Sequence, residues 1–122
     1  MSEHEKIDYL EFPARDLSKA KIFFNEVFGW EFTDFGPEYC AFTNAGIMGG
    51  FYLSDLNSRT EKGAALTVFY SRDLDKTRAR ILSAGGSIVK DTFSFPGGQR
   101  FHFCDLNDNE FAVWSDQNLE EA

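Results

Sequence analysis

Arg15-Asp16-Leu17-Ser18-Lys19 returns 57 residues later as Arg72-Asp73-Leu74-Asp75-Lys76. Gly29, twelve residues after Leu17, returns as Gly86, twelve residues after Leu74. Each copy opens on a strand-like run, passes through a helix-like run and ends at a glycine followed by another strand-like run. Self-similarity on this scale marks two copies of one supersecondary unit, neither of which buries its apolar face alone.

The first copy sets the pattern. Ile7 to Phe12 reads as a strand. Asp16 or Ser18 caps the helix that follows, because a short side-chain oxygen accepts from the free N–H groups of a first turn. Leu17, Ala20, Phe23, Phe24, Val27 and Phe28 recur at spacings of three and four, which is one helical face. Gly29 stops the helix. Strands follow over 30–35, 39–43 and 47–53, with Asn44-Ala45-Gly46 as a hairpin turn. Residues 54–63 are polar and form the natural linker.

The second copy repeats the order. A strand is expected over 65–70 and a helix over 74–84, with Leu74, Thr77, Ala79, Ile81 and Leu82 near its inner side. Gly85-Gly86 breaks that helix, and a strand covers 87–92. Residues 93–98, Phe-Ser-Phe-Pro-Gly-Gly, read as a loop, with Gly97-Gly98 permitting hinge angles suited to a lid. Strands at 100–104 and 110–114 flank a turn at Asn107-Asp108-Asn109. The expected architecture is α+β: one domain over 1–122, with module 1 at about 5–54, a linker at 55–63 and module 2 at about 64–116. Each module is βαβββ, and side by side the two form a curved mixed sheet around a cavity, the usual place for a ligand.

Bulk properties narrow the function. The 122 residues suffice for one core, and 43% hydrophobic content with 14 Phe argues against disorder. Twenty acidic residues against twelve basic ones leave a net charge of −8. A nucleic-acid or anionic-membrane partner needs a basic face, so neither is expected. The charged start of the chain has no apolar stretch of a signal peptide, and no run has the length of a membrane span, so the chain is read as cytoplasmic. Cys40 and Cys104 have no Cys-x-x-Cys spacing and read as buried reduced thiols in strands.

Two stretches carry a resemblance to a known family. Phe23-Phe24-Asn25-Glu26-Val27-Phe28-Gly29-Trp30 resembles the FY-x-x-x-FGW helix end of the glyoxalase/bleomycin-resistance/dioxygenase superfamily, the vicinal oxygen chelate proteins. Asp105-Leu106-Asn107-Asp108-Asn109 resembles its DPDGN hairpin, with Leu106 for the proline and Asp108 for the glycine. The resemblance covers about Ile7 to Trp114. It implies the paired βαβββ fold, a small-molecule ligand and a homodimer. It does not choose among isomerases, dioxygenases, thiol transferases and drug binders.

In the metal-dependent members four side chains, from the first and last strand of each module, hold a divalent cation. The resemblance places these positions on Tyr9, Gly49, Leu66 and Ala112. Cations of this kind require imidazole and carboxylate ligands, which this set lacks. No metal or other cofactor is therefore expected, and the chain is more similar to the metal-free branch related to lactoylglutathione lyase.

Strand alternation puts Glu11 on the face of Tyr9, and Arg100, His102 and Cys104 on one face of the seventh strand. The resemblance implies a pocket-facing position three residues before the hairpin aspartate, here His102. Glu11 and His102 are the candidate catalytic acid–base pair. Tyr9, Met48, Tyr70, Arg100 and Trp114 are the candidate substrate-binding residues, Arg100 as an anchor for an anionic group. Each also has an ordinary structural reading as strand or core. Three functions stay open: a metal-independent glyoxalase-like binder, or lyase or isomerase; a metal-dependent enzyme of the lactoylglutathione lyase type; and a drug-sequestering binder of the bleomycin-resistance type.

Overall fold

The computed structural model describes residues 2–117. Module 1 contains β1 (Tyr9–Ala14), α1 (Leu17–Phe28), β2 (Glu31–Asp34), β3 (Tyr39–Thr43) and β4 (Met48–Leu53). Module 2 contains β5 (Thr67–Tyr70), α2 (Leu74–Ser83), β6 (Ser87–Phe95), β7 (Gly98–Cys104) and β8 (Glu110–Ser115). A short 3₁₀ turn, Thr60–Lys62, interrupts the linker. The class is α+β, and the sheets are ordered β1-β4-β3-β2 and β5-β8-β7-β6. In each the first strand runs parallel to the last and the other pairings are antiparallel.

The repeated Asp-Leu dipeptide is a helix start in both modules. Asp16 accepts from the backbone N–H of Lys19 and Asp73 from that of Lys76, each at 3.1 Å. One unsatisfied first-turn donor is thereby paired at each helix, worth about 1 kcal/mol. Gly29 closes α1 with φ +74°, the left-handed conformation a side chain would disfavour. In α2, Leu74, Thr77 and Ile81 are buried, whereas Ala79 and Leu82 face solvent. The expected inner face of that helix is therefore one row narrower.

The two modules share one core within the chain. Phe23 and Phe24 of α1 are fully buried. Phe24 lies 5.5 Å from Phe51 of its own sheet and 5.3 Å from Phe111 of the other, centroid to centroid. Phe12 meets Phe111 at 5.2 Å, and Phe28 stacks on Phe69 at 4.1 Å. Offset and edge-on ring contacts of this kind add about 0.5–1.5 kcal/mol each beyond area burial.

Polar ties reinforce the joint. The Asn109 amide donates to the Pro13 carbonyl at 2.8 Å, Asp16 N–H donates to Asn107 Oδ1 at 2.9 Å, and Ser58 N–H donates to Asn109 Oδ1 at 2.8 Å. The Asp105–Asn109 hairpin thus fastens module 1 and the linker to module 2. Asp105 itself accepts from the backbone N–H groups of Asn107 and Asn109. Burial pushes its carboxyl up to about 6, against the pull of those donors.

Two expectations about strands are corrected. The first strand begins at Tyr9, and Ile7 is exposed. Residues 93–98 are not a loop or a lid. β6 runs to Phe95, β7 begins at Gly98, and only Pro96-Gly97 turn between them. Both cysteines are free and buried, in β3 and β7, and burial pushes the Cys104 thiol up to about 12. Among the described residues no helix is long and apolar enough to cross a membrane.

Candidate functional site

Each sheet turns one face to the shared core and the other away from it. On β7, Phe101 and Phe103 enter the core, so alternation sends Arg100, His102 and Cys104 to the outward face. His102 pairs with Ala112 across β8, which places Glu110 on the same face, one diagonal step away. The His102 Nδ1 lies 2.8 Å from Glu110 Oε2, with His102 6% and Glu110 9% exposed.

The linker holds this dyad from behind. Glu110 Oε1 accepts from Thr60 N–H at 2.9 Å and from the Thr60 hydroxyl at 2.8 Å, and Arg59 Nε lies 3.8 Å from the same oxygen. Arg59 also pairs with Asp108 at 2.9 Å. Burial raises the Glu110 carboxyl, but the hydrogen bonds from His102 and Thr60 outweigh it and hold the group below the usual carboxylate range. An ionised carboxylate only accepts, so His102 Nδ1 is the donor. Neutral His102 then carries its lone pair on Nε2. That nitrogen is buried with no hydrogen-bond partner among the described residues. Carboxylate on one nitrogen and a bare lone pair on the other is the arrangement of a general base.

The outward face of the first sheet is built differently. The Tyr39 hydroxyl donates to Glu11 Oε2 at 2.8 Å, and the Tyr9 and Tyr39 hydroxyls lie 2.6 Å apart. Gly50 stands opposite Glu11 in the ladder, and a Cβ there would overlap the Tyr39 ring and hydroxyl. The missing side chain is what lets Tyr39 lie across the sheet to reach Glu11. Burial first, then the bonds to Tyr9 and Glu11, push the Tyr39 phenol above its ordinary range.

The expected pairing of Glu11 with His102 is thus replaced. The carboxylate partner of His102 is Glu110, and Glu11 belongs to a tyrosine chain on the other sheet. Tyr9 and Met48 are ladder partners beside Glu11, whereas Tyr70, Arg100 and Trp114 accompany His102. Tyr70 packs edge-on against Trp114 at 5.2 Å, and its hydroxyl donates to Asp116 at 2.6 Å. Two cavities lie elsewhere. One of about 310 Å³ runs along the module seam, lined by Leu10, Trp30, Phe42, Ile47, Phe69 and Tyr70 among others. The other, of about 480 Å³, lies between the N-terminal residues and Met48. Neither is lined by Glu11 or His102.

The four positions of the metal frame do not fit a cation. Tyr9 is bonded to Tyr39. Gly49 is turned to the core, where a Cβ would strike the Phe42 ring, so it does not share the face of Tyr9. Leu66 precedes β5, and Ala112 is fully buried and carries no donor atom. Among the described residues no three His, Cys, Asp or Glu side chains are grouped as a metal site would need.

Sequence reading missed Glu110 as the partner of His102, Thr60 and Arg59 as partners of Glu110, and Phe93 and Phe95 as neighbours of His102 and Trp114 in turn. Glu110 was within reach of it: once Ala112 is set opposite His102, alternation puts Glu110 on the same face. Arg59 and Thr60 carried no such signal, because their approach depends on how the linker folds back.

The sequence profile of the Glyoxalase/Bleomycin resistance protein/Dioxygenase superfamily matches residues 6–113. No curated protein matches the chain. Among solved structures, the fosfomycin resistance protein FosX from Listeria monocytogenes is 19% identical with a TM-score of 0.76, covering 98% of both chains. A glyoxalase/bleomycin resistance protein/dioxygenase family enzyme from Burkholderia phytofirmans PsJN is 16% identical with a TM-score of 0.74, covering 88% of this chain and 96% of its own. Lactoylglutathione lyase from Agrobacterium tumefaciens is 19% identical with a TM-score of 0.69, covering 96% of this chain and 98% of its own. At these identities the likeness is one of fold.

Proposed function

The chain belongs to the Glyoxalase/Bleomycin resistance protein/Dioxygenase superfamily, and from that premise we propose that it is a metal-independent member, of the branch related to lactoylglutathione lyase. In this reading it binds a small organic molecule on the outward face of the second sheet and acts on it as a lyase or isomerase. The observation that carries the reading is the His102–Glu110 dyad, with Nδ1 held at 2.8 Å and Nε2 buried and without a partner among the described residues. Nε2 takes a proton from a carbon next to a carbonyl, and the C–H electron pair moves onto the carbonyl oxygen. Glu110 stabilises the imidazolium that forms, and the proton returns to a neighbouring carbon or oxygen. Proton transfer by a positioned side chain is typically worth about 10²–10⁴-fold in rate.

The reading extends to the assembly. Met48 is 56% and Tyr70 49% exposed on the outward faces. A second copy laid across these faces would turn them into the walls of a closed site, so the working unit is a homodimer. Two unpaired, buried cysteines suit a reducing cytoplasm. The metal-dependent alternative requires ligands that Tyr9, Gly49, Leu66 and Ala112 do not supply.

Two measurements test the proposal. Elemental analysis of protein purified without chelator is expected to find no stoichiometric zinc, nickel, manganese or iron, and one metal per chain would overturn it. A thermal-shift screen over aldehydes, thiol adducts and aromatic metabolites is expected to yield ligands whose shift is lost in His102→Ala. A shift unchanged in that variant would remove the site from the second sheet.

A further inference from the structure

We propose that the outward face of β6 and β7 is a subsite for a carboxylate carried on an aromatic ring, with Arg100 as anion anchor and Phe93 and Phe95 as ring platform. The proposal rests on reading the second sheet as the ligand face, and adds the class of ligand to it.

The register of β6 against β7 is the first ground. Ile88 pairs with Phe103, Lys90 with His102 and Phe93 with Arg100, so β6 gains one residue at each of two successive irregularities. Strict alternation would put Lys90 and Phe93, three apart, on opposite faces. The two bulges bring Lys90, Phe93 and Phe95 to the face of Arg100 and His102 instead. Bulges re-aim side chains in this way, and they concentrate beside active sites.

Charge and aromatic character are the second ground. The Arg100 guanidinium lies 5.2 Å from the Phe93 ring and 6.0 Å from Phe95, and the Lys90 ammonium lies 4.8 Å from Phe93. Among the described residues no carboxylate pairs with Lys90 or Arg100. On a face that also carries the ionised Glu110, Lys90 and Arg100 are two adjacent cations with no ion-pair partner among the described residues. Arg100 Nε, like His102 Nε2, is buried without a hydrogen-bond partner among the described residues. The part-exposed Arg100 guanidinium has no ion-pair partner among the described residues, and its planar fork suits a carboxylate.

Shape is the third ground. Phe93 lies 6.1 Å from His102 and Phe95 lies 6.3 Å from Trp114, so aromatic surface extends on both sides of Arg100. A ring seated there with its carboxylate on Arg100 lies against Phe93, whose own ring is 6.1 Å from the His102 imidazole. An aliphatic acid would forgo the ring contacts, and a neutral arene would leave the cation unmatched.

Phenylacetate, phenylacetamide and acetate, titrated separately against ¹⁵N-labelled protein, form the test. Phenylacetate is expected to shift the amide resonances of Phe93, Arg100 and His102, with the amide and acetate binding at least about tenfold more weakly. Arg100→Gln, checked for an unchanged fold by circular dichroism, is expected to cost phenylacetate about tenfold in affinity, and Phe93→Leu several-fold. Phenylacetamide binding as tightly as phenylacetate at these residues overturns the proposal while leaving a small-molecule site on this sheet in place. So does full affinity in Arg100→Gln. Phenylacetate binding that shifts only resonances of the first sheet overturns the subsite and the proposed ligand face together.

Discussion

The two modules share a fold and a ladder but not a chemistry. Their pairings superimpose: Ala41 pairs with Gly50 as His102 pairs with Ala112, and Tyr39 with Tyr52 as Arg100 with Trp114. His102 and Glu110 therefore stand where module 1 has Ala41 and Met48. The first sheet keeps its carboxylate, Glu11, at the surface and satisfies it with Tyr39. The second buries its carboxylate, holds it ionised and leaves His102 Nε2 without a hydrogen-bond partner among the described residues. Duplication supplies two equivalent scaffolds, and burial sets their two carboxylates apart. A satisfied surface carboxylate has little to gain from a ligand, whereas an unmatched buried nitrogen gains a full hydrogen bond.

The comparison can be broken first at the core. Phe111 corresponds to Gly49, since Thr67 pairs with Phe111 as Leu10 does with Gly49. Phe111→Ala is expected to cost about 3–5 kcal/mol by urea denaturation, because a large ring is removed from the joint of both modules. Gly49→Ala is expected to cost about 1–3 kcal/mol, because the added Cβ would meet the Leu10 carbonyl oxygen as well as the Phe42 ring. Equal costs would mean that the modules contribute alike to the joint.

The polar contrast is broken next. Glu110→Gln presents an amide N–H to His102 Nδ1 and is expected to lose about 1.5–3 kcal/mol of stability. Glu11→Gln changes an exposed group and is expected to stay within about 0.5 kcal/mol. The reverse order in matched urea titrations would relocate the buried dyad to the first sheet.

A pH titration sharpens the role of the hairpin that only module 2 uses as a fastener. The folded-state value of Asp105 is raised to about 6 from an ordinary 3.8. The folded chain therefore holds a proton that the unfolded chain has released between these values. Stability is expected to rise as pH falls through about 6, by about 1.4 kcal/mol at pH 5 and by about 3 kcal/mol once pH is below the ordinary 3.8. Glu110, lowered from 4.5, acts in the opposite sense and loses its contribution only at lower pH. In Asp105→Asn the rise is expected to vanish, and a rise that persists would assign it to another group.

Much of the fold was legible because its signals are local. Asp16 and Asp73 cap helices through oxygens three residues from the amides they receive, and Phe23, Phe24 and Val27 fall on one face by helical spacing alone. The site was half legible. Alternation puts Arg100 and His102 together, but in sequence Glu11 shares the expected cavity with His102, while Glu110 stands at the mouth of a turn. Phe93 and Phe95 read as loop because Pro96-Gly97-Gly98 follows them. Their true place depends on two bulges set by pairing with β7, and register against a distant strand is not written in either strand by itself.

His102 is one of two histidines in the chain. Long-range ¹H–¹⁵N correlation on ¹⁵N-histidine-labelled protein at about pH 9, where an ordinary imidazole is neutral, reads which nitrogen carries the proton. Protonated Nδ1 with an unprotonated Nε2 is the predicted result, reversed in Glu110→Gln. A proton on Nε2 with Nδ1 bare in the wild-type chain would contradict the dyad, and with it the assignment of His102 as the proton acceptor.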